Sequence, residues 1–101
     1  MRLPRALHNR ILYLLQHTDA LRDGSMHADP RWLTCVERVL RDAPSDAMRA
    51  FFDQFFCKGV SCDDIQYNLF IERSTLYSWR DYFLWHVALE AAQAGLLRAT
   101  E

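Results

Sequence analysis

Glycine and proline are scarce in this chain, three of each. With the apolar residues recurring at spacings of three and four, that scarcity favours helices throughout over a sheet protein. No apolar run approaches the ~18 residues a membrane span requires, and the arginine-dotted start has neither the apolar core nor the cleavage site of a signal peptide. The expectation is a protein with no membrane association, in the cytoplasm. Only three cysteines occur, Cys35, Cys57 and Cys62. They form no C-x-x-C pair, so neither a disulfide framework nor a zinc knuckle is indicated. His8, His17, His27 and His86 are scattered without metal-ligand spacing, and no metal site is expected. No glycine-rich loop is present to cradle a phosphate, and no serine, cysteine or histidine has a recognisable partner arrangement. Asp63 and Asp64 sit at a helix start, where the dipole favours carboxylates without any acid–base role. Neither an enzyme nor a cofactor is expected.

What the chain has in quantity is apolar surface at helical spacing. Half of the 101 residues are hydrophobic and a quarter charged, enough for one modest core in a single domain spanning 1–101. From Pro4 to about Arg22, Leu7, Ile11, Leu14, Leu15 and Leu21 share one helical face. Gly24 and Asp29–Pro30 break the pattern. Trp32, Leu33, Val36, Val39 and Leu40 then mark a second helix, ended by "DAPSD". These two helices form an N-terminal pair over 1–44.

In 45–101, Ser45 reads as the N-cap of a third helix carrying Met48, Phe51, Phe52, Phe55 and Phe56, with Gly59 as its left-handed stop. Ser61 followed by Asp64 resembles a capping box opening a short fourth helix that runs to about Asn68 or Leu69. A fifth begins near Arg73 and is expected to continue to about Arg98. It carries two apolar stripes. Leu76, Trp79, Phe83, Val87, Ala91 and Ala94 lie on one side, and Tyr82, Trp85, Leu89 and Leu96 are rotated away. One stripe packs a helix on its own domain, so the second is expected to meet the N-terminal helices or another subunit.

The stretch "SCDDIQYNLFIERSTLYSW", residues 61–79, has the layout of a helix-turn-helix. Ile65, Leu69, Ile71, Leu76 and Trp79 have the spacing of its internal core, which turns Arg73, Ser74, Tyr77 and Ser78 outward. Arginine suits guanine edges and phosphate, and serine and tyrosine hydroxyls suit phosphates or base edges.

From Asp46 onward, "AMRAFFDQFFCKGVSCDDIQYNLFIERSTLYSWRDYFLWHVALEAA" resembles the sigma-region-4-like helix-turn-helix. It is most similar to phage late-gene transcriptional regulators of the RinA and ArpU kind, in which a glycine after an aromatic helix and an S-T-hydrophobic-Y-x-W/R recognition helix recur. The resemblance implies a regulator of phage or prophage promoters, acting as a dimer or larger assembly. Its DNA-facing set would be Arg73, Ser74, Thr75, Tyr77, Ser78 and Arg80. Three positions depart from the pattern. Gln66 stands where a small alanine usually lets the helices approach, and Glu72 replaces the usual serine cap. Phe70 occupies the turn position usually given to glycine, which leaves a rebuilt or lengthened turn as an alternative to the standard one.

Charge bears on the partner. The net charge is −1. Residues 61–101 carry Arg73, Arg80 and Arg98 against Asp63, Asp64, Glu72, Asp81, Glu90 and Glu101, a local −3. Arg2, Arg5 and Arg10 stand in the first ten residues without an acid, so an N-terminal arm is a candidate for part of the positive surface a DNA binder needs. The alternative reading keeps the fold without DNA: a protein-interaction module whose acidic face and second stripe engage a polymerase subunit or another regulator. The expected architecture is all-α, about five helices, the N-terminal pair packed on a C-terminal helix-turn-helix with a long last helix.

Overall fold

A computed structural model describes residues 3–97. Six α-helices follow one another, α1 (Arg5–Gln16), α2 (Thr18–Asp23), α3 (Arg31–Arg41), α4 (Asp46–Phe52), α5 (Cys62–Leu69) and α6 (Arg73–Gln93), and no strand occurs among the described residues. The all-α expectation holds, with one helix more than the spacing suggested. The extra helix comes from a break at His17, whose backbone leaves the helical region (φ −117°, ψ 29°). Thr18 is fully buried, and its hydroxyl donates to the Leu15 carbonyl at 2.7 Å. His17 Nδ1 lies 2.8 Å from the Tyr13 carbonyl. These local side-chain bonds take up backbone carbonyls at the junction and turn the chain there.

Side-chain caps set the starts of α4 and α5. The Ser45 hydroxyl accepts from the Met48 N–H at 3.2 Å, and the Ser61 hydroxyl accepts from the Asp64 N–H at the same distance, each satisfying an otherwise orphan donor. The chain leaves α4 through a widened π-helical turn, Asp53–Cys57, in which the Lys58 N–H reaches the Asp53 carbonyl. Gly59 follows with φ +66°, in the left-handed region where a Cβ is costly. The long last helix stops before the expected limit, at Gln93. Gly95 takes φ +76°, its N–H bonds the Ala92 carbonyl, and the Leu96 N–H bonds the Ala91 carbonyl, the two bonds of a Schellman stop. Arg98 lies outside the described residues, as does Arg2.

One side chain closes the end of α3. Arg49 donates to the carbonyls of Leu40, Arg41 and Ala43 and to the carboxylate of Asp46. The planar guanidinium thus adds a second donor to the Leu40 carbonyl, which also accepts from the Ala43 N–H, and serves the Arg41 and Ala43 carbonyls at and just past the helix end.

The core is organised around α6, which packs against α1, α3, α4 and α5. Its buried Leu76, Phe83, Leu84, Val87, Ala88 and Ala91 form one cluster with residues from the other five helices. Phe51 sits in its densest part, 1% exposed. Its ring is 5.2 Å from Phe55, 6.1 Å from Phe56, 5.9 Å from Trp79 and 6.4 Å from Phe83, within the range of favourable ring pairs. These contacts fix the orientation of α6 relative to α4, and through it the face α6 shows to solvent. That face is narrower than the sequence suggested, because Leu84 and Ala88, in neither predicted stripe, are buried as well.

Candidate nucleic-acid interface

The hairpin of α5 and α6 is assembled as its apolar spacing requires. Ile65 and Leu76 are fully buried, while Leu69, Ile71 and Trp79 are half-buried against the same core. Phe70, Ile71 and Glu72 join the two helices. Phe70 adopts the left-handed conformation itself, φ 56° and ψ 46°, so the turn is neither rebuilt nor lengthened. For an L-residue this costs about 1–2 kcal/mol. Its ring gains no burial in exchange, being 91% exposed.

Glu72 is extended at the N-cap of α6 and makes no side-chain cap. Of the predicted DNA-facing residues, Arg73, Ser74, Tyr77 and Ser78 are exposed, and Thr75 and Arg80 are half-buried. The two arginines are not idle. Arg73 is ion-paired with Asp63 on α5, and its Nε donates to Gln66 Oε1 at 3.2 Å. Gln66, where a small residue was expected, therefore bridges the two helices at their rim instead of separating them. The Arg80 guanidinium lies 5.2 Å over the Tyr77 ring and 3.1 Å from the Asp81 carboxylate.

Two exposed aromatics flank this surface. Besides Phe70 there is Tyr67, 81% exposed on the outer side of α5. The sequence did carry a signal for Tyr67, since it lies off the Ile65–Leu69 core spacing.

The second stripe of α6 divides. Tyr82 is half-buried, its ring edge-on to Phe83 and 4.1 Å from His86. Leu96 is half-buried, and Leu89 is 41% exposed. Trp85 lines an open cleft of about 740 Å³ between α1 and α6, together with Arg5, His8, Asn9, Arg80 and Asp81. Tyr82 and Leu96 thus pack against the core, Trp85 shares the cleft with residues of α1, and Leu89 faces solvent.

Cys35 is buried, Cys57 and Cys62 are half-buried, and all three are free. Desolvation pushes the Cys35 and Cys57 thiols up from their ordinary range, which disfavours thiolate. Among the described residues no group of three or more His, Cys, Asp or Glu could hold a metal ion, and no helix is long and apolar enough to cross a membrane. No family model, curated protein or solved structure matches the chain.

Proposed function

We propose that the protein is a DNA-binding transcriptional regulator of phage or prophage type, acting in the cytoplasm, that docks the first half of α6 in a major groove. The observation that carries this reading is a helix, a three-residue turn with its left-handed residue first, and a second helix whose inner face is locked into the core while Arg73, Ser74, Tyr77 and Ser78 stand outward. Ten residues of such a helix span about 15 Å, suited to lying in a groove about 12 Å wide. Tyr77 and the serines supply hydroxyls for base edges and phosphates, and Arg73 a fork for guanine. Self-association through Leu89, with Tyr82 and Leu96 beside it, would pair two reading heads on a two-fold site and leave Trp85 to the cleft.

A second reading is favoured by one observation: both arginines of the reading face already have carboxylate partners, Asp63 and Asp81. On that reading the hairpin is a docking module for a protein such as a polymerase subunit or another regulator, with exposed Tyr67 and Phe70 as its anchors.

The experiment is retention of random duplex DNA by the purified protein at low and moderate salt, beside the Arg73→Ala/Tyr77→Ala double variant. DNA reading predicts enrichment of one sequence, weakened steeply by salt and lost in the variant. Absence of retention at either salt would pass the assignment to the protein-docking reading.

A further inference from the structure

We infer that the cleft between α1 and α6 seats the phosphodiester backbone of duplex DNA beside the base pairs that α6 reads. The inference rests on the DNA-binding reading of α6 and adds a second contact surface to it. Arg80 links the two, since it stacks over Tyr77 of the reading face and also lines the cleft. From the other wall come Arg5, His8 and Asn9, all on α1. Guanidinium, imidazole and amide groups are the donors that hold phosphate oxygens without regard to sequence.

The charges are arranged to suit an anion. Arg5 is exposed and, among the described residues, carries no ion pair, and the first turn of α1 holds no acid. Asp81 is the only carboxylate of the lining, and it is engaged by Arg80 at 3.1 Å. The cleft therefore keeps a positive charge that the reading face lacks, where Arg73 is neutralised by Asp63. This supplies the electrostatic anchor that the chain's overall charge of −1 withholds.

The shape favours a strand over a small molecule. Small-ligand sites are enclosed and mostly apolar. This cleft is lined by Arg5, His8, Asn9, Arg80 and Asp81, with Leu3, Leu84 and Trp85 beside them. A continuous backbone can enter and leave such a cleft, with Trp85 offering an apolar face to the sugars.

The test uses the full chain and the duplex enriched from the random pool, with Arg5→Ala, Arg5→Lys and Arg41→Ala compared. Arg41 is an exposed arginine of α3 that lines a different cleft, so its loss matches the change in net charge without touching the site. The inference predicts that Arg5→Ala weakens binding roughly three- to tenfold for all sequences alike and flattens the log–log salt dependence by about 0.9, with base preference unchanged. Arg5→Lys keeps the point charge and most of the affinity, and Arg41→Ala behaves as wild type. Asp81→Asn, which removes the one repelling carboxylate, tightens binding. Wild-type retention of DNA with Arg5→Ala no weaker than Arg41→Ala would overturn the cleft inference while leaving the reading of α6 intact. Failure of the wild-type protein to retain any duplex would overturn both.

Discussion

Arg73, the first residue of α6, is held by the carboxylate of Asp63, the second residue of α5. The pair ties the start of α6 to the start of α5 and masks the most forward cation of the hairpin. An exposed ion pair of this kind contributes about 0–1 kcal/mol to stability, little enough to exchange for a phosphate or a guanine edge.

Asp63→Asn should therefore free Arg73. On the DNA-binding reading, affinity for duplex rises roughly threefold or more and its salt dependence steepens by up to about 0.9, as read by fluorescence anisotropy over a salt series. Stability falls by under about 1 kcal/mol, from the lost pair and the lost carboxylate in the first turn of α5. Unchanged or weaker binding in the variant would mean that Arg73 does not contact DNA.

Replacing Phe70 tests the turn. Glycine relieves about 1–2 kcal/mol of left-handed strain and gives back about 0.5–1 kcal/mol as greater freedom of the unfolded chain. Phe70→Gly is thus expected to stabilise by about 0.5–1 kcal/mol in urea denaturation. Phe70→Ala keeps the strain and should change stability by no more than about 0.5 kcal/mol, because the exposed ring packs on little. A more stable Phe70→Gly protein that binds its target less well would show that the ring is retained for recognition.

Arg49 is expected to resist conservative replacement. A lysine presents one ammonium where the guanidinium serves three carbonyls and a carboxylate in one plane. Arg49→Lys should cost about 1–2 kcal/mol and Arg49→Ala about 2–3 kcal/mol, measured by chemical denaturation. Equal stability of lysine variant and wild type would remove the planar fork from the account of how α3 ends.

Asp29 sets an acid limb. Hydrogen bonds from the Arg31 side chain and then from its backbone N–H hold the Asp29 carboxyl below its ordinary value. Its folded pKa is below the unfolded one, so its contribution is present above about pH 4 and is lost as pH falls through the folded value. The stability difference between wild type and Asp29→Asn should be full at pH 6 and close as the pH approaches 2. A difference that stays constant across that range would contradict the assignment.

The sequence showed clearly what depends on neighbours a few residues away. Ser45, Ser61 and Gly59 sit at the helix ends their chemistry predicted, and Ile65 and Leu76 are buried as the spacing required. Features decided by distant packing were not visible. The break at His17 depends on Thr18 being buried, and the end of α3 depends on Arg49, eight residues past Arg41. The apolar periodicity carried the expected end of α6 to about Arg98, past the left-handed Gly95 that stops it. At the candidate site, the exposed face of α6 was legible from its core spacing. The partners of Arg73 were not, because Asp63 and Gln66 reach it only once the turn at Phe70 has folded the two helices together. Of the cleft, the sequence singled out Arg5 within the arginine-rich arm and Arg80 within the DNA-facing set, but not their meeting, since the two are distant along the chain.

The three tryptophans report from different places. Trp32 is buried beneath the Arg10 guanidinium, Trp79 stands edge-on to Phe51, and Trp85 lines the cleft. The protein thus has built-in optical reporters. Loss of the fold shifts the emission of all three toward the red, whereas an occupant of the cleft would act first on Trp85, so occupancy and unfolding would leave different spectra in one cuvette without a label.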